Sequence, residues 1–193
     1  MFRNRLGFTL IELLVVITLI GISLTLAAPS WEQVSQKRRV TNATEQVAAF
    51  LSVAQSEAQK QNQHVSLSFN RSGDQNWCIG TVLALDACDC TETDPVSEQY
   101  CSIDGAPTRI EANSFQFIHL IEATDSQPTG GDSRITFDPI RGILQPAGDK
   151  LQLTFESANG DFKLRLSITP TGLLSICSPD DGQSIGGYLT CAG

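Results

Sequence analysis

The chain has 193 residues and a formal charge of −8 at neutral pH, with a sequence pI near 4.6. So acidic a balance argues against non-specific affinity for nucleic acid, whose phosphates it would repel. With one apolar segment near the start set aside, the length leaves roughly one domain of soluble sequence.

The first seven residues, MFRNRLG, carry only Arg3 and Arg5 as charges. Residues 7–29 then read GFTLIELLVVITLIGISLTLAAP, and between Phe8 and Ala28 the one charged side chain is Glu12. A run of this length can span a bilayer, for which about 20 apolar residues suffice. Basic flanks stay cytoplasmic, so the chain beyond Ala28 is expected on the far side of the membrane, in a bacterium the periplasm. A carboxylate inside such a helix costs up to ~3 kcal/mol. Glu12 is therefore a candidate functional residue whose partner has to be found. A cleaved secretory signal ending near LAAPS fits poorly, because the run exceeds the usual apolar region of about 7–15 residues and such regions rarely hold a carboxylate. A plain single-span anchor leaves Glu12 unexplained.

From Trp31 to Gln61 there is no Gly or Pro, and apolar residues recur at Val40, Ala43, Val47, Leu51, Ala54 and Ala58. Spacings of three and four put these on one stripe of an amphipathic helix, with Arg39, Thr41, Asn42, Glu45, Gln46 and Gln59 opposite. One helix from Phe8 to Gln61 would be roughly 80 Å long. The KRR run at Lys37, Arg38 and Arg39 reads as a solvated helix face in preference to a lipid-phosphate contact.

The remainder reads as β. HVSLSF, from His64 to Phe69, alternates Val65, Leu67 and Phe69 on one face, and RITFD alternates through Ile135 and Phe137. Residues 151–168 are the clearest hairpin. Leu151, Leu153 and Phe155 precede Asn159-Gly160, and Phe162, Leu164, Leu166 and Ile168 follow it. Between Asp74 and Pro107 the chain reads as a polar, cysteine-rich insertion, acidic through Asp86, Asp89, Glu92, Asp94, Glu98 and Asp104. A long helix followed by strands in one head predicts an α+β fold, the helix packed on an antiparallel sheet.

Six cysteines all follow the apolar run, and an even count predicts disulfides in an oxidising compartment. Cys88 and Cys90 are too close in sequence to pair comfortably with each other. The simplest arrangement joins Cys78 to Cys88 and Cys90 to Cys101, with Cys177 and Cys191 closing a C-terminal loop; other pairings of the first four stay open. A zinc site is disfavoured, since there is no C-x2-C pair and the chain has only two histidines. His64 and His119 read as structural strand residues, not as bases. No nucleophile elbow, phosphate loop or zincin spacing occurs, so no catalytic residue and no cofactor is expected. Asp180-Asp181-Gly182 lacks the alternating ligands and terminal Glu of a calcium loop and reads as a solvated turn.

GFTLIELLVVITLIGI resembles the class III signal of type IV pilins and type II secretion pseudopilins. The resemblance implies that a prepilin peptidase cuts after Gly7 and that the new N-terminal Phe8 is N-methylated. Glu12 then becomes the fifth residue of the mature chain, and Pro29 matches a proline at which pilin helices bend. A buried amine at Phe8 and a buried carboxylate on a neighbouring subunit stabilise each other when paired, which makes Glu12 an assembly residue. The implied organisation is a leader (residues 1–7), a transmembrane and filament-core half of the helix (8–29), an amphipathic half (30–63) and a periplasmic β-rich head (64–193). The implied partners are other pilins or pseudopilins, the prepilin peptidase, the assembly platform of the inner membrane and the membrane itself. FDPIRGILQPAG at residues 137–148, the hairpin, and GLLSICS followed by GGYLTC are similar to the GspH/FimT group, including FimU-like minor pilins. This implies a minor pilin that helps initiate or cap a type IV pilus, or alternatively a minor pseudopilin H of type II secretion. A DNA-uptake pilin is a third and disfavoured reading. DNA-binding members carry Gly-Arg-x-Arg in a late strand, where this chain has Gly172, Leu173, Leu174 and Ser175.

Overall fold

The first helix, α1 (Leu10–Gln61), begins where a hydroxyl can cap it: the backbone N–H of Glu12 donates to Thr9 Oγ1 at 3.3 Å. It ends without a glycine. Asn62 takes φ 51°, and the Gln63 N–H reaches back to the Ala58 carbonyl at 3.2 Å. This is the six-to-one bond of a Schellman cap, with Asn as the left-handed residue. The computed structural model describes residues 9–83, 85, 88–125, 135–145, 148 and 150–191, with side chains at all of these except 26–30 and 124–125. Two compact units divide the chain, Met1–Gln36 and Lys37–Gly193.

In the second unit, among the described residues, eleven strands follow the helix: β1 (Val65–Arg71), β2 (Trp77–Leu83), β3 (Ser102–Ile103), β4 (Ala106–Pro107), β5 (Arg109–Glu111), β6 (Ile118–Asp125), β7 (Ile135–Phe137), β8 (Leu144–Gln145), β9 (Leu151–Ser157), β10 (Lys163–Ile168) and β11 (Leu174–Cys177). They form a five-stranded sheet in the order β5-β2-β1-β7-β8, a four-stranded sheet β11-β10-β9-β6 and the small ribbon β3-β4. All the strand pairs are antiparallel. The fold is α+β, a long helix packed on an antiparallel head. Val40, Ala43, Val47, Leu51, Ala54 and Ala58 are all buried and share one core with Leu153, Phe155, Leu164 and Leu166. Three alanines, Ala43, Ala54 and Ala58, lie on the buried stripe, with Ala48 beside it. Thr44, also on the buried side, satisfies its hydroxyl by donating to the Val40 carbonyl at 2.8 Å.

The hairpin of β9 and β10 pairs Leu151 with Ile168, Leu153 with Leu166 and Phe155 with Leu164. Its turn rests on Gly160 at φ 78°. The Asn159 side-chain oxygen accepts from Ser157 Oγ at 2.8 Å, tying the turn to the strand.

Two sequence expectations change. The stretch after Asp74 is not all insertion, because WCIGTVL forms β2, which pairs with β1 along its whole length. Trp77 stacks on Phe115 with ring centroids 5.8 Å apart and meets Phe155 edge-on at 5.5 Å. Five consecutive residues from Trp77 are buried, so the strand shows no alternation for a period-2 reading to find. The insertion proper follows β2 and covers the outer face of the sheet. There Ser66 is fully buried, and Ser68 Oγ lies 3.4 Å from Cys88 Sγ.

The cysteine pairing also differs. The disulfides are Cys78–Cys90 and Cys88–Cys101, with Cys177–Cys191 at the C-terminus. The loops interleave because the insertion folds back over β2. Cys90 sits beside Cys78 and Cys88 beside Cys101, with Cα atoms 5.8 and 5.1 Å apart. Gly80 makes room for this layer, since a Cβ there would collide with Cys101 Sγ and stand 3.0 Å from Cys90 Cβ.

The C-terminal loop is held by three contacts. Cys177–Cys191 closes it, Ile185 is buried in the core, and the Tyr188 hydroxyl donates to Glu45 on α1. Burial, then the bond to Glu45, pushes the Tyr188 phenol up to about 12.

Two outcomes follow from this packing. Gly80→Ala overpacks the sheet against the disulfides and is expected to cost about 1–3 kcal/mol, read as a lower urea midpoint with unchanged slope. The neutral Tyr188 phenol is favoured in the folded state. Its contribution is therefore complete below the unfolded value near 10 and is lost as pH rises from there through about 12. Thermal melts across that window should fall more steeply for the wild type than for Tyr188→Phe.

Candidate assembly surfaces

The first unit offers one surface, the helix itself. Leu10, Ile11, Leu13, Leu19, Ile20 and Ile22 are each more than half exposed, and at about 100° per residue they are spread around the whole helix. A helix that is apolar all round requires an apolar environment or other helices around it. Among the described residues no helix is long and apolar enough to cross a membrane. Phe8 and the side chains of residues 26–28, at the two ends of the apolar run, are outside those described. So are Gly7 and the Pro29 side chain, although α1 continues through position 29.

Thr9 and Glu12 stand at the spacing of a capping box. The backbone half of that box is formed. The Glu12 carboxylate has no partner among the described residues, which leaves it available to a group from another molecule.

In the head, Gln55 on α1 joins two loops that are distant in sequence. Its Nε2 donates to the Gly142 carbonyl at 2.6 Å and to the Gly172 carbonyl at 3.0 Å. Both glycines are left-handed, at φ 63° and 79°, and a Cβ on Gly172 would collide with the Gly142 carbonyl. Asp138 shapes the first loop, accepting from the N–H groups of Ile140 at 2.9 Å and Arg141 at 2.7 Å. The Arg141 N–H holds its carboxyl below the usual range. Leu173 and Ser175, which follow the second glycine, are both exposed. The positions that would carry arginines in a Gly-Arg-x-Arg motif thus face solvent without charge.

Several other ionisable groups are held by neighbouring side chains. Lys163 lies between Glu156 at 3.3 Å and Asp181 at 2.7 Å. The Asp181 bond raises the lysine and the same bond lowers the aspartate. Asp181 is thus engaged by a lysine within a turn. His119 bonds Gln75 at 2.9 Å, and His64 has a buried Nδ1 without a hydrogen-bond partner. An open cleft of about 290 Å³ beside Cys78–Cys90 has the Arg109–Glu111 ion pair, 2.9 Å apart, in its wall, and no nucleophile–base pair. Among the described residues no group of three or more His, Cys, Asp or Glu is close enough to hold a metal. Sequence reasoning missed Gln55 and the Tyr188–Glu45 tie. The glycines at 142 and 172 were the available signal for the first.

The family described as type II transport protein GspH matches residues 43–172, and the prokaryotic N-terminal methylation motif matches residues 2–28. Two fimbrial proteins of Pseudomonas aeruginosa are each 37% identical over 54 residues, 28% of this chain and 35% of theirs. The match thus spans about a third of the length of these relatives. Crystal structures of the Pseudomonas aeruginosa type IV minor pilin FimU in two space groups are also similar. One is 20% identical, covering 74% of this chain and 90% of that one, with a TM-score of 0.47. The other is 21% identical, covering 70% and 90%, with a TM-score of 0.43. The GspH match runs from the buried stripe of α1 to Gly172 and takes in most of the head, and with the methylation motif ahead of it, the chain belongs to the GspH family of pilin-like proteins.

Proposed function

We propose that this protein is a minor pilin that helps initiate or cap a type IV pilus, anchored in the bacterial inner membrane with its head in the periplasm until it docks. The observation that carries the reading is the apolar first stretch of α1, exposed on all sides, whose one carboxylate, Glu12, has no partner among the described residues. Cleavage after Gly7 by a prepilin peptidase would create an amine at Phe8, later N-methylated. Glu12 would pair with that amine on a neighbouring pilin delivered by the assembly platform, and a bend at Pro29 would let the helix follow the filament. The role is structural and asks for no cofactor or catalytic group. The family description favours a second reading, a minor pseudopilin H of type II secretion. Deletion separates the two: loss of pili and twitching with intact exoprotein secretion supports the first, and the reverse supports the second.

Glu12→Ala tests the assembly role. Membrane insertion and cleavage after Gly7 should persist, since the charge removed is unfavourable in the span and the cut site is unchanged. Docking should weaken by about 3–5 kcal/mol, because a neighbour's amine stays buried alone. The readout is mass spectrometry of the processed N-terminus together with the subunit content of sheared filaments. Wild-type incorporation would rule the pairing out.

DNA uptake is not favoured for so acidic a head. Gel shifts should show no submicromolar, salt-sensitive binding. The double variant Leu173→Arg/Ser175→Arg, at two exposed positions beside a fixed glycine turn, should bind measurably more tightly.

A further inference from the structure

We propose that Lys37, Arg38, Arg39 and Phe117 form a docking patch for the anionic phospholipid headgroups of the membrane that anchors the chain. This rests on the membrane-anchored reading above. The charge arrangement carries it. Lys60, Arg71, Arg109, Arg141, Lys163 and Arg165 each lie within ion-pair distance of a carboxylate. Lys37, Arg38 and Arg39, consecutive on α1, have no carboxylate partner among the described residues. The next carboxylate along the helix, Glu45, is engaged by Tyr188. Three adjacent cations are thus left unpaired in a protein of charge −8.

Phe117 adds a second, independent feature. It is 60% exposed and stands at φ 64°, a conformation that bulky residues rarely adopt. Its ring lies under the Arg39 guanidinium, 4.9 Å from the centroid. An exposed phenylalanine beside basic residues is the composition of an interfacial surface, where the apolar ring enters the headgroup boundary and guanidiniums pair with phosphate. The position in the chain agrees. Lys37 follows the end of the apolar run at Ala28 by nine residues of sequence, a juxtamembrane position at which basic side chains are drawn to anionic lipid. The rest of the head is acidic and is repelled by the same surface, so the patch selects which face meets the membrane. Free inorganic phosphate offers the same chemistry but not the apolar boundary that an exposed phenylalanine fits.

The test uses the full chain reconstituted in phosphatidylcholine vesicles with or without phosphatidylglycerol. Amine-reactive labelling of Lys37 is read by mass spectrometry against Lys60, which is paired with Glu57 on the same helix. Lys37 labelling should be about threefold slower on the anionic vesicles, as expected for cations held at such a surface. High salt, or Arg38→Gln/Arg39→Gln, should remove the protection while flotation with vesicles is unchanged. Equal labelling on both vesicles overturns the patch. Equal protection by inorganic phosphate on neutral vesicles, or protection that grows with protein density there, also overturns it in favour of a free-anion site or a contact between copies. Failure to float with either vesicle would instead strike the membrane-anchored reading itself.

Discussion

The head is organised by one requirement, that a single stripe of α1 be removed from water along the whole helical stretch from Val40 to Ala58. Two sheets do this together. The alanines and the branched residues between them lie in a core shared with Phe155 and Leu164. At about 25 cal/mol per Å² of apolar surface, that burial is the main reason the helix is fixed in the head at all. The cap at Asn62 then ends the helix where the stripe ends, and β1 can start a few residues later.

The five-stranded sheet has a second face, and among the described residues no second α-helix covers it. The cysteine insertion takes that place. It lies over β1 and β2 as a layer built of disulfides instead of apolar side chains, which is why Ser66 and Ser68 can face it and why Gly80 has no side chain. The C-terminal loop uses the same device once more, with Ile185 as its anchor in the core. Cross-links of this kind compensate for a limited apolar core mainly by restricting the unfolded chain.

The parts of the fold legible in the sequence are those governed by local periodicity. The stripe from Val40 to Ala58 repeats at three and four, and the hairpin shows its alternation around Asn159-Gly160. What escaped is set by contacts between distant residues. β2 is buried on both faces and so carries no period, and the disulfide partners are chosen by how the insertion folds back. Gln55 bridges to Gly142 and Gly172 over separations of 87 and 117 residues, and no window of sequence contains both ends. Glu12 stands out in the sequence for a different reason. A charge in an apolar helix has few explanations, and under the pairing proposed above the group that would answer it belongs to another molecule.

The interleaved disulfides have a consequence for how the molecule matures. A chain delivered N-terminus first into an oxidising compartment presents Cys78, then Cys88 and Cys90, and only afterwards Cys101. Cys88 is the first thiol Cys78 can meet, and that bond is not one the finished head contains. A chain oxidised at that stage reaches the Cys78–Cys90 and Cys88–Cys101 pairs only by thiolate attack on the early cross-link, through mixed intermediates. A cell that oxidises thiols but cannot rearrange them would leave such a chain misbridged.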